Sequence, residues 1–140
     1  MLYLIVLMVG CSGSRPSQIG AVAGQLAACP DSPNCVSSQS TDPKHAIAPL
    51  RYEGPEEKAW KRLIEAVSGM KRSRIVVAGE RYLRAEFTSA LFGFVDDVEF
   101  LLDEGAGVIH VRSASRVGYS DLGVNRRRVE EVRTRFQSAP

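Results

Sequence analysis

Two stretches of this chain gather side chains able to hold or transform an anionic ligand. The first is residues 112–126, where Arg112, Ser113, Ser115, Arg116, Ser120, Asn125 and Arg126 crowd the junction between a strand and a helix. Arginine offers a planar fork to carboxylate or phosphate, and a helix N-terminus adds free N–H groups and the positive end of its dipole. Asp121 at the same helix start satisfies those donors itself and repels an anion, so a ligand site and a self-satisfied cap are both open readings. The second stretch is Phe94-Val95-Asp96-Asp97-Val98. If Phe94, Val98, Phe100 and Leu102 face a core, strict alternation puts Asp96 among them, while Asp97, Glu99 and Asp103 face water. A carboxylate on a core face needs an ion partner or hydrogen bonds. Arg112 and Arg116 are the expected partners, with a bulge required to bring them across. A structural ion pair and a ligand site, with Asp96 as one contact, are the alternatives.

Three cysteines carry the remaining chemistry. An unbroken apolar run at residues 2–9 is far shorter than the roughly 20 residues that span a bilayer, and has the length of a signal-peptide core. It ends Met8-Val9-Gly10-Cys11, similar to a bacterial lipobox, in which a small residue precedes a cysteine that is acylated and becomes the mature N-terminus. Met8 stands where leucine is usual, and no Lys or Arg precedes the run. Leu26-Ala27-Ala28-Cys29 is a second candidate, but it follows a weakly apolar stretch; Cys11 is preferred. Residues 1–10 then form a signal peptide and 11–28 a tether, placing the protein in the bacterial cell envelope, membrane-anchored and facing the periplasm or the exterior. Export favours oxidation, so Cys29 and Cys35, separated by two prolines and turn-forming Asp and Asn, are expected to form a disulfide. A zinc site is disfavoured because only His45 and His110 could complete it, and the spacing is not that of a redox pair. No cofactor and no metal are expected.

The elements that position these groups follow from periodicity. Pro55, Glu56 and Glu57 open a helix whose Trp60, Leu63, Ile64 and Val67 share one face, and Gly69 ends it. From residue 74 the period becomes two, giving strands at 75–78, 82–89, 94–103 and 108–117 with hairpin turns between them. Leu83, Ala85 and Phe87 alternate with Arg84 and Glu86, the pattern of a sheet wet on one face. A last helix runs from Ser120-Asp121 to about residue 137, burying Val129, Val132 and Phe136. Residues 36–54 read as an extended loop. The expectation is one α+β domain, residues 29–138: a four-stranded antiparallel sheet, two helices packed on one face and a disulfide-clipped N-terminal loop. With 140 residues, 44% hydrophobic and 24% charged, the chain is globular, and a net charge of +2 is too mild for a nucleic-acid partner.

The motif Cys29-Pro30-Asp31-Ser32-Pro33-Asn34-Cys35-Val36-Ser37-Ser38-Gln39, with residues 112–126, resembles the bacterial family catalogued as domain of unknown function 1499. The resemblance spans about residues 29–136. It implies an exported or membrane-associated protein, since many members look like lipoproteins, and supplies no agreed activity or catalytic residues. Two functions remain in view. One is a non-catalytic binding or scaffolding lipoprotein whose arginine- and serine-rich junction takes an anionic small molecule or lipid headgroup, the basic last helix lying near the membrane; a protein partner is unknown. The other is an envelope hydrolase or isomerase using Asp96 or Asp97 with an arginine, and His45 or His110 as base.

Overall fold

The computed structural model describes Gly13 and residues 18–140. Residues 1–10, expected to be a signal peptide, and Cys11 lie outside the described residues. Two two-residue strands, β1 (Ala21–Val22) and β2 (Gln25–Leu26), form a small hairpin. Its turn is Ala23-Gly24, both at positive φ. Next come β3 (Cys35–Ser37), β4 (Leu50–Arg51), helix α1 (Glu56–Ser68) and strands β5 (Ser73–Ala78), β6 (Tyr82–Thr88), β7 (Val95–Asp103) and β8 (Val108–Ser115), then helix α2 (Val124–Ser138).

The main sheet is antiparallel and has six strands rather than four. Strands β5 to β8 are the expected meander, and β3 and β4 lie end to end along the free edge of β8. These additions come from the stretch read largely as loop. At three and two residues, they are too short to show a period. Their effect is to cover the β8 edge, which would otherwise present unpaired main-chain groups.

Both helices pack on one face, as expected for the class. The core between them and the sheet holds Trp60, Leu63 and Val67 from α1, Val129, Val132 and Phe136 from α2, and Leu83, Val98, Phe100, Ile109 and Val111 from the strands. Helix α1 begins after Pro55, carries Glu56 and Glu57 in its first turn and stops at Gly69. The disulfide between Cys29 and Cys35 is formed, with Cα atoms 5.7 Å apart. Because Cys35 starts β3, the bridge fastens residues 29–35 to the β8 side of the sheet. Closing a loop this short is worth about 2 kcal/mol in the chain-entropy account.

Candidate functional site

Successive residues of a strand point to opposite faces, and this divides the arginine- and serine-rich junction in two. Ser113 and Ser115 point toward the helices. The Ser113 hydroxyl donates to Asn125 Oδ1 at 2.6 Å, and Asn125 Nδ2 donates to Ser115 Oγ at 2.9 Å, to the Asn34 carbonyl at 3.2 Å and to Asp121 Oδ2 at 2.8 Å. Asn125 is fully buried, so these bonds fix where α2 meets the sheet. Asp121 accepts the N–H groups of Gly123 at 2.8 Å and Asn125 at 3.0 Å, capping the helix that starts three residues later.

Burial raises the Asp121 pKa, but these donors more than offset it and hold the carboxyl below its ordinary value. A group depressed in the fold contributes stability above its unfolded pKa of about 3.9 and loses it as pH falls through the folded value. Asp121→Ala is therefore expected to cost about 1 kcal/mol near pH 7. The gap from wild type should close as both are melted at successively lower pH below about 4; a gap that held constant into acid would refute the capping role.

Asp96 lies on the helix side, where alternation placed it. Its partner is Arg128 of α2, at 2.7 Å, rather than Arg112 or Arg116. Arg128 also stacks 4.9 Å from the Phe87 ring centroid and donates to Asn125 at 3.1 Å. Phe94, read as core, falls just outside β7 and is exposed.

Arg112 and Arg116 point to the second face, which departs most from expectation. Asp97 and Glu99, assigned to water, are completely buried there, and Arg84 nearly so. The Arg116 guanidinium bridges Asp97 at 2.7 and 2.9 Å and Glu86 at 2.7 Å, while Arg84 reaches Asp97 at 3.1 Å. Arg112 meets Glu99 at 3.4 Å, and the Tyr82 hydroxyl donates to Glu99 at 2.6 Å. No bulge is involved, because unbroken β7–β8 register sets Glu99 opposite Arg112 and Asp97 opposite Ala114. Residues within the stretch read as tether lie over this layer: Gly20 donates its N–H to Glu99 at 2.8 Å, and the Ala28 carbonyl accepts from Arg112 at 3.4 Å.

The charges support one another. Burial pushes the Glu86 carboxyl up, and bonds from Arg116 and Arg74 more than reverse this, leaving it below the usual range. Bonds to Asp97 raise the Arg116 pKa, and burial together with Glu99 raises that of Tyr82. Arg112 Nε is, among the described residues, a buried donor without a partner.

The other expected site residues stand apart. Ser120 is exposed and accepts the Leu122 N–H at 3.3 Å, and exposed Arg126 donates to the Ala46 carbonyl at 2.8 Å. His45 is buried against the Cys35 carbonyl at 2.9 Å, too committed to serve Asp96 or Asp97. His110 bridges Ser38 Oγ and Asp103 Oδ2, each at 3.2 Å, a serine–histidine–aspartate chain that sequence reasoning missed. It is built unlike a hydrolytic relay: the serine sits on Nδ1 and the aspartate on Nε2, the reverse of the usual order. Ser38 Oγ also accepts the Val111 N–H at 2.9 Å, and none of these three residues lines the grooves described below. Among the described residues, no three His, Cys, Asp or Glu side chains converge to hold a metal ion.

Open space lies instead at the end of the sheet where β6 turns into β7 and β8 leads into α2. A groove of about 700 Å³ between α2 and the end of β6 is lined by Lys71, Arg72, Arg127, Arg128 and Arg135, the last paired with Glu131 on the same wall, over Met70, Phe87 and Val124. Beside it, a largely apolar groove of about 880 Å³ is lined by Phe92, Phe94, Val117, Leu122 and Val124, with Asp96 and Asp121 also on its wall. The signals for these were short: Leu91-Phe92-Gly93-Phe94 inside a hairpin loop, and Lys71-Arg72 just after a helix.

Fold and site together define a small α+β domain, helices on one sheet face and a buried ionic layer on the other, with paired basic and apolar grooves at one end. The chain belongs to the family described as protein of unknown function (DUF1499), whose model matches residues 25–136. No curated protein matches it.

Proposed function

We propose that the protein is a bacterial envelope lipoprotein, acylated at Cys11, whose domain is a non-catalytic binding module for an anionic partner. The observation that carries the reading is the Cys29–Cys35 disulfide. Such a bond persists outside the reducing cytosol, which is where the apolar run before Cys11 would deliver the chain. The carboxylates favour binding over catalysis. Asp97 is fully buried with both oxygens held by arginines, and Asp96 is held by Arg128. Asp97 lines neither groove, and Asp96, which borders the apolar one, already has Arg128 as its partner.

Of the expected anion-binding residues, Arg112 and Arg116 are committed to carboxylates within the fold. Binding is therefore assigned to the basic groove beside the same junction, where Lys71, Arg72 and Arg127 form no ion pair among the described residues. The test is fractionation of the protein made in a bacterial host. Wild type is expected to stay in the membrane pellet through a high-salt carbonate wash, which strips peripheral contacts, and Cys11→Ser to be released; equal partition of the two after the wash would refute acylation at Cys11.

A further inference from the structure

Large apolar side chains stand in water at one end of the sheet. Leu91 (81% exposed) and Phe92 (65%) occupy the β6–β7 loop, and Tyr119 (70%) and Leu122 (84%) the β8–α2 loop. Single exposed apolar residues are ordinary, but a contiguous group around an apolar groove marks a surface that something covers. That groove shares Ser89 and Val124 with the basic groove, so apolar tips and cationic rim form one continuous surface. Arg72 and Arg127 donate to main-chain carbonyls of Thr88 and Leu122, which position the guanidinium groups without neutralising them.

We propose that this end of the domain docks on an anionic phospholipid bilayer. Leu91, Phe92 and Leu122 enter the boundary between headgroups and acyl chains, and Lys71, Arg72 and Arg127 meet the lipid phosphates. The inference deepens the anchored-lipoprotein reading and rests on it for the second point of attachment.

Two observations select a bilayer over other occupants. The first is the pairing of projecting apolar tips with a cationic rim, which complements a surface that is oily inside and negative at its edge. The second is where the N-terminal chain leads. Gly13 lines the apolar groove, packed so closely that a Cβ there would lie 2.8 Å from Val117 Cγ1. Two residues of chain reach at most about 7 Å from Gly13, so an anchor on Cys11 would be tethered to this same end. The β7–β8 turn lies at the far end of β7, about 27 Å away at the usual rise per residue.

The test places the full acylated chain in vesicles containing phosphatidylglycerol and brominated acyl chains. Its single tryptophan is moved by Trp60→Phe together with either Phe92→Trp or, as the control, Ala106→Trp in the far turn. Position 92 is expected to lose most of its emission and position 106 little. Equal quenching at the two positions overturns the proposal. So does a concentration-dependent dimer that protects position 92 without lipid quenching, which would make a second copy the occupant. If Cys11 carries no acyl group, the anchor reading fails by itself, and the free chain added to the same vesicles decides. Phe92→Ser/Leu122→Ser and Lys71→Gln/Arg127→Gln should then each weaken binding by about tenfold or more. Unchanged binding in either double variant, or no binding by the parent chain, overturns the proposal.

Discussion

Arg116→Met is expected to lower the stability of the fold by about 3 kcal/mol, because it strips buried Asp97 of its two Arg116 bonds and leaves Arg84 to serve both Asp97 and Glu86. Asp97 is fully buried and accepts two bonds from Arg116, so water cannot readily replace what is lost. Arg74→Met tests the same idea from the outside. Arg74 also bonds Glu86, at 3.0 Å, but its side chain is 74% exposed, and its loss should cost no more than about 1 kcal/mol. Urea unfolding followed by Trp60 fluorescence would measure both. The double variant Arg116→Met/Asp97→Leu should recover part of the loss, since removing a buried pair costs far less than orphaning one member. Similar losses for Arg116→Met and Arg74→Met would mean that the second face is wet.

Asn125→Leu should be as damaging, at about 3 kcal/mol, for a different reason. One amide serves Ser113, Ser115, the Asn34 carbonyl and Asp121, and an apolar side chain of similar size would leave buried Ser113 and Asn34 without that partner. Each stranded group costs about 1–3 kcal/mol. The effect should be strongly non-additive: adding Ser113→Ala to Asn125→Leu should cost less than Ser113→Ala alone, because the hydroxyl has already lost its acceptor. Simple additivity, read from the same urea melts, would show that Asn125 is not the hub joining α2 to the sheet.

These two sites also show what was legible in the residue pattern. Helix α1 was clear because Trp60, Leu63 and Val67 repeat at helical spacing and Gly69 stops the chain, and the β5–β8 meander because Gly79-Glu80 and Glu104-Gly105-Ala106-Gly107 supply turns of hairpin length. Asp96 was correctly placed on the helix face by alternation. Its partner was not, since Arg128 lies in a helix whose rotation against the sheet a linear pattern does not report.

The second face was misread for a more general reason. Alternation tells which residues share a face, and a polar face is ordinarily a wet one. Here Arg84 and Glu86 on β6, Asp97 and Glu99 on β7, Arg112 on β8 and Arg116 just past its end place three guanidinium groups against three carboxylates. That balance across neighbouring strands was the available sign of an ionic layer that is dry. What covers part of it, residues 20–28, has no periodicity of its own and was read as tether for that reason. The grooves were missed because each is assembled from loops distant in sequence, with Lys71, Phe92 and Leu122 drawn to one end only by the strand order.

Secretion and acylation underlie the whole functional account, and one intact-mass measurement on the protein extracted with detergent from bacterial membranes tests them together. The account predicts a chain beginning at residue 11, heavier by its lipid groups, with Cys29 and Cys35 oxidised. A chain still carrying Met1, unlipidated and with all three thiols free, would contradict it.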